Sequence, residues 1–349
     1  MEDNKEVIIK VVEKSKNPVY SIFFYQNELV KQLAKDGRLH KTIWRNTKGS
    51  DNSFCLKKKG EYRTVIPGRL IRLFGIKNEN LFKQKYVEAI SGDGQEWTRI
   101  TTLHSSSLLA LLFFYNVTSS NKLTIGDYTF SESYFEVKTH VHDDSESNMD
   151  VVLRGTDSAG MKVVLFLECK FSEYLNCSKY DGISWEAYNE TYDSLGLFNN
   201  NVIPGLKIFG DPQNKITIQA EESRKDPIYC GGIKQMISHY MGVSNYAKDR
   251  GKALAEHRFV EDVNEKVLLG EILFDFKNNE ISNSETKLDC YKYAYEKLAQ
   301  IINGQNENKN FKMLENIFTY QDVLCHNKNF IKEEQTIKLY FNNYIQHGK

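Results

Sequence analysis

No stretch of this chain is apolar for long enough to cross a bilayer. The longest run, residues 108–115, spans eight residues, where a membrane helix needs about 20. The start, Met1-Glu2-Asp3-Asn4-Lys5, is charged and lacks the apolar core of a signal peptide, so the expected location is the cytoplasm and no membrane partner is expected. The six cysteines, at 55, 169, 177, 230, 290 and 325, form no Cys-x-x-Cys pair and have no histidines at zinc-site spacing. That excludes a disulfide scaffold or a zinc ribbon and leaves reduced thiols, several of them in the core. Net charge is lacking too: 46 Lys and Arg balance 46 Asp and Glu.

The zero balance conceals an asymmetry. Residues 35–85 hold fourteen Lys or Arg against four acids, whereas residues 127–150 hold seven acids against the single Lys138. A basic region beside an acidic one suits a protein that grips phosphates with one and a cation with the other. The basic candidates for nucleic-acid contact are Lys57, Lys58, Lys59, Arg63, Arg69 and Arg72, interleaved with Trp44, Phe54 and Tyr62. The plainer reading of such a run is a solvated loop.

The most informative segment runs from Met149 to Lys170. Met149-Asp150-Val151-Val152-Leu153 and Val163-Val164-Leu165-Phe166-Leu167-Glu168-Cys169-Lys170 flank the turn-rich Thr156-Asp157-Ser158-Ala159-Gly160, a β-hairpin pattern. A turn centred near Ser158 and Ala159 sets Asp150 opposite Leu167 or Glu168, so two carboxylates converge at one end. Alternation along a strand puts Glu168 and Lys170 on one face and Cys169 on the other. Lys170 is expected as a surface-facing charge at the strand end.

Two carboxylates beside one amine suit phosphodiester hydrolysis. Asp150 and Glu168 offer hard oxygen ligands for Mg²⁺, with Mn²⁺ as a substitute. Lys170 can orient or deprotonate a water and stabilise charge on phosphate. Against this stands the bland alternative of solvated strand-end acids with Lys170 as their salt-bridge partner.

Asp150, seventeen intervening residues and then Glu168-Cys169-Lys170 resembles the signature of the PD-(D/E)XK nuclease superfamily, which includes many restriction endonucleases. Glu96-Trp97, His104-Ser105-Ser106-Ser107, Phe135-Glu136, Met149-Asp150-Val151-Val152-Leu153 and Glu168-Cys169-Lys170-Phe171-Ser172-Glu173-Tyr174 are similar to a group of bacterial restriction-endonuclease-like proteins, over about residues 90–275. Met149 stands where the superfamily's name has proline. The resemblance implies a metal-dependent nuclease fold. It also implies that a polar residue on the helix after the Glu-x-Lys strand reaches the site, which makes Gln235 a candidate; His239, four residues on, reads as a structural or rim histidine. A third acid often completes such sites, and Glu96 and Glu136 are the two choices, while Glu173 reads as a helix-start or surface acid.

The rest of the chain supplies context. Residues 7–12 read as a strand, 26–33 as helical, 42–62 as irregular and punctuated further by Pro67-Gly68, and 79–91 as a helix. Ser105 to Ser107 cap an apolar helix over 108–117. Residues 134–141 form a first strand, 267–276 a later buried one, and 173–213 an insertion. Ile233, Met236, Ile237, Tyr240 and Met241 recur at helical spacing as a core stripe.

These elements predict one α/β domain over 1–349: a restriction-endonuclease-like mixed central sheet flanked by helices, with a core at about 90–275, an N-terminal basic region at about 1–90 and a C-terminal helical tail at about 285–349. The expected activity is Mg²⁺-dependent hydrolysis of DNA, with RNA open on the same chemistry. A homodimer would suit cutting of both strands, though no dimerisation surface is legible. The rival functions are a non-catalytic nucleic-acid-binding protein on the same fold and a scaffold whose basic segment meets an acidic partner.

Overall fold

The hairpin's turn is locked by one side chain. Asp157 Oδ1 accepts hydrogen bonds from the backbone N–H of Ala159 and of Met161, both at 2.9 Å, and Gly160 supplies the left-handed backbone (φ 81°) that the reversal requires. In this computed structural model the described residues are 63–92, 100, 105–142, 145–171, 174, 191, 194–196, 206–210, 216–220, 232–249, 264–275, 284–306, 308, 310–330, 337 and 341. The expectations for residues 7–12, 26–33 and 42–62 lie outside them.

The strands joined by that turn are β3 (Ser145–Asp157) and β4 (Lys162–Lys170), preceded by β1 (Leu123–Ile125) and β2 (Tyr128–His142). All three neighbouring pairs are antiparallel. β4 then pairs in parallel with β7 (Lys266–Leu273). Every residue from Val163 to Lys170 and from Val267 to Leu273 is buried, as expected for parallel strands covered on both faces. A separate antiparallel pair, β5 (Leu206–Gly210) and β6 (Ile216–Ala220), falls between β4 and β7 in the chain.

Helices cover both faces. On one side lies α3 (Ser106–Phe114), capped by Ser105 Oγ accepting from Leu108 N–H, and apolar on all sides because it is buried on all sides. Phe113 of α3 stacks edge-to-face on Tyr320 and Phe341, with centroids 4.9 and 5.0 Å apart. Tyr320 opens α6 (Tyr320–His326), and its side chain neighbours Cys169 on this side of β4. On the other side lie α4 (Gly232–Lys248), whose His239 meets Glu168, and α5 (Ser284–Gln305), whose Tyr291 abuts Gly232. The fold is therefore α/β with a mixed sheet between helices, and no helix among the described residues is long and apolar enough to cross a membrane.

Two expectations change. Pro67 punctuates no loop: it sits in the first turn of α1 (Ile66–Phe74), where a missing N–H leaves no bond unmade. α1 packs on α2 (Glu79–Ala89), so residues ahead of 90 join the same core. The C-terminal stretch is not helical alone. It contributes β8 (Phe311–Met313) and β9 (Phe318–Thr319), both parallel to β7. The physical reason is the free edge of β7, whose backbone needs partners: Val267 N–H donates to Asn310 O at 2.7 Å, and Leu269 O accepts from Leu314 N–H at 2.8 Å.

α4 seats closely on the sheet at Gly242. A Cβ added to Gly242 would lie 2.1 Å from Thr139 Oγ1 and 3.3 Å from Ser147 Cβ. Alanine would gain up to about 1 kcal/mol in helix propensity, but the overlap is expected to cost about 1–3 kcal/mol. Gly242→Ala should therefore lower the denaturant midpoint, and less so in a Thr139→Ala background. A midpoint unchanged with Thr139 in place would refute the close approach.

Candidate active site

The sheet register brings four acids into one row across adjacent strands. Pairs Phe135↔Val151 and Val137↔Met149 set Glu136 of β2 across from Asp150 of β3. The last backbone pair of the hairpin, Val151↔Leu167, sets Asp150 beside Glu168 of β4, and Glu168 pairs in register with Glu271 of β7. At the step beyond Val151 a side chain takes over from the ladder: Asp150 Oδ2 accepts from Cys169 N–H at 2.7 Å. Glu136 has φ 51°, and among the described residues it alone combines a side chain with positive φ. Such a backbone costs on the order of 1 kcal/mol and persists where surroundings impose it; here Asn148 Nδ2 donates to the Glu136 carboxylate.

Helix α4 closes the cluster. Lys170 Nζ donates to Glu168 Oε1 at 2.5 Å and to Gln235 Oε1. One turn further along α4, His239 Nε2 bonds Glu168 Oε2 at 2.8 Å, and its Nδ1 bonds Ser147 Oγ at 2.5 Å. Glu168 is 3 % exposed, Lys170 6 % and Glu271 0 %. The solvated strand-end reading therefore fails for Glu168, although the salt bridge it gave to Lys170 is present, and the expectation of a surface-facing lysine fails because α4 lies over the end of β4.

Compared with family models, curated proteins and solved structures, the chain finds no match in any of the three.

Burial pushes the Asp150 carboxyl well above the usual range, and the charges of Glu168 and Glu136 push it further; Lys170 and the Cys169 N–H oppose them without winning. For Glu168 the balance reverses. Burial would raise it, but the Lys170 ammonium and the His239 ring bring it down to about 2. Two adjacent carboxyls with affinities for protons driven apart are what acid–base and cation chemistry draws on. Glu136, Asp150 and Glu168 against the Lys170 ammonium leave surplus negative charge at Asp150, which a proton or a cation can neutralise.

Among the described residues no group of three or more His, Cys, Asp or Glu is arranged to hold a metal ion. Mg²⁺ does not demand such a cage, since it is commonly held by one or two carboxylates plus substrate phosphate and waters. The hard oxygens of Asp150 and Glu168, with excess negative charge at Asp150, fit that mode.

Of the residues singled out from the sequence, Asp150, Glu168, Lys170, Gln235 and Glu136 come together. Glu96, Glu173 and Lys57, Lys58 and Lys59 lie outside the described residues. Arg69 and Arg72 ride on α1 and Arg63 precedes it, and none of the three is a member of the row. Ser147, Asn148, His239 and Glu271 join the cluster without having been read from sequence as site residues. Glu271 carried a usable signal, a lone acid inside the apolar run Val267-Leu268-Leu269-Gly270-Glu271-Ile272-Leu273. Ser147 and Asn148 carried none.

The two carboxyls predict opposite pH dependences. A raised folded-state pKa at Asp150 gives stability that is full below the ordinary carboxylate range and lost as pH rises through the raised value. Asp150→Asn, assayed in chelator, is thus expected to raise the thermal midpoint at neutral pH; a fall would contradict the electrostatic assignment. A lowered pKa at Glu168 gives stability that is present above about 4.5 and lost as pH falls through about 2. Acid titration of Glu168→Gln should show a flatter decline across that window than the unsubstituted chain, and parallel curves would dismiss the ion pair as a source of stability.

Proposed function

We propose that this chain is a cytoplasmic, Mg²⁺-dependent nuclease with a restriction-endonuclease-like fold of the PD-(D/E)XK kind, hydrolysing DNA phosphodiester bonds. The observation that carries this reading is the meeting of Asp150, Glu168 and Lys170 at one end of the β3–β4 hairpin, with Gln235 of α4 holding the lysine. Asp150 and Glu168 would hold the cation, with Glu136 beside Asp150 as the third acid, and when bound the cation supplies charge neutralisation on phosphate oxygens and a water of lowered pKa.

The chain's own residues do the rest. Lys170 presents an ammonium whose position is set from two sides, by Glu168 and Gln235. It orients an attacking water and stabilises charge on the phosphate. Asp150, pushed up by burial and then by its acidic neighbours, accepts a proton more readily than an ordinary aspartate. Glu168 stays ionised through neutral pH. Arg69 and Arg72 on α1 and Arg63 ahead of it are the described ones among the six basic candidates, and they would meet the phosphate backbone.

One observation favours a second reading. Both oxygens of Glu168 are already engaged, by Lys170 and by His239, which is also what a structural salt bridge in a non-catalytic nucleic-acid-binding protein would look like. That protein would bind DNA with a steep linear fall of log affinity against log salt and without metal-stimulated cutting.

The test is incubation of the purified chain with plasmid DNA and, separately, RNA, in Mg²⁺ or Mn²⁺, with a chelator control. Because Lys170 is buried, Lys170→Met is a better probe than alanine: it keeps the side-chain volume while removing the charge. Cleavage should fall by about 10²–10⁴-fold in this variant. Cutting at the unsubstituted rate would remove Lys170 from the mechanism, and no cutting by the unsubstituted chain under any metal would favour the binding protein.

A further inference from the structure

We infer that His239, oriented by Ser147, is a positioning residue that fixes Glu168 for cation binding, an inference that rests on the nuclease reading above. Ser147 Oγ lies 2.5 Å from His239 Nδ1, and His239 Nε2 lies 2.8 Å from Glu168 Oε2. Ser147, His239 and Glu168 are each 3 % exposed, so water does not compete for these bonds. An ionised carboxylate only accepts, which places a ring proton on Nε2; in the neutral ring Nδ1 then accepts from the Ser147 hydroxyl, and in the charged ring it donates to that oxygen. In either form Ser147 anchors one side of the ring, and the ring's Nε2–H is delivered to Glu168 on the other.

Its effect is to divide the two oxygens of Glu168. Oε2 is turned to the imidazole and Oε1 to Lys170, so the carboxylate plane is held from both sides. Gln235 and His239 stand one turn apart on α4, and a single helix surface thereby sets the lysine and the glutamate together. This helix also explains why His239 escapes a simple reading as core filler, since both of its ring nitrogens are spent on polar partners of β3 and β4.

A serine, a histidine and a carboxylate in sequence are also the parts of an acyl-transfer triad. The packing argues against that use. Ser147 is 3 % exposed and its hydroxyl is held on His239 Nδ1 beneath α4, which leaves no open approach for an acyl group. The relay serves Glu168 and not a substrate.

Calorimetric titration of the purified full chain with Mn²⁺ tests the inference through a paired substitution. His239→Gln places an amide N–H close to where Nε2 lies and keeps the donor to Glu168; His239→Asn reaches only toward Ser147 and loses it. Partners of this kind are worth about 10–100-fold in metal affinity. The dissociation constant is expected to rise by that factor in His239→Asn, to stay within about threefold of the unsubstituted chain in His239→Gln, and to rise by an intermediate factor in Ser147→Ala. Nitrogen-15 spectra of the metal-free chain should show a protonated Nε2 at His239, whose proton exchanges faster with water in Ser147→Ala.

Equal affinities in the Asn and Gln variants, with only the melting temperature lowered, would overturn the positioning role while leaving the nuclease reading intact. A protonated Nδ1 paired with a bare Nε2 would overturn the relay whatever the metal does. An unsubstituted chain that binds no Mn²⁺ would sink the nuclease reading, and with it the purpose assigned to His239.

Discussion

Burying carboxylates side by side is the constraint around which the rest of this site is arranged. Glu136, Asp150, Glu168 and Glu271 lie along one row of a sheet whose strands are about 4.8 Å apart, and three of the four are at most 5 % exposed. Isolated ionised groups in such surroundings would cost several kcal/mol each. The structure answers with specific partners: the Lys170 ammonium and the His239 ring at Glu168, the Cys169 N–H at Asp150, and the Asn148 amide at Glu136.

Those partners come from two places, and the division has consequences. Lys170 and the Cys169 N–H belong to β4 itself, so they arrive with the hairpin. Gln235 and His239 arrive only when α4 docks. Glycine at 242 permits that docking, because the helix backbone rests directly on Thr139 and Ser147. A cluster completed by a docked helix is coupled to tertiary packing, so changes in the seat of α4 propagate to the geometry of Glu168 without touching a carboxylate.

Compensation is uneven along the row. Glu168 is over-supplied with donors and falls to about 2, whereas Asp150 is under-supplied and rises. A site designed only for stability would have matched every acid with a cation or replaced both by apolar residues of similar volume. Leaving one acid short of compensation is characteristic of sites that take up a proton or a cation in use.

Local rules carried far into this chain. Turn chemistry at Asp157-Ser158-Ala159-Gly160 and the apolar runs on either side were enough to define the β3–β4 hairpin, because register in a hairpin follows from its turn. The meeting of Asp150 with Glu168 follows from that register, and the opposite facing of Cys169, the serine-capped apolar helix and Ile233, Met236 and Ile237 of the α4 stripe follow from periodicity within one element, while Tyr240 and Met241 of that stripe are only partly buried. What lies between elements was not legible. The parallel pairing that brings Glu271 beside Glu168, the strands β8 and β9 that cover the edge of β7, and the burial of Lys170 depend on which elements dock. Glu136 shows the limit most clearly: its face turns on a positive φ that no spacing rule anticipates. Ser147 and His239 are 92 residues apart in the chain, and only the packing of a helix onto a sheet gives them a common function.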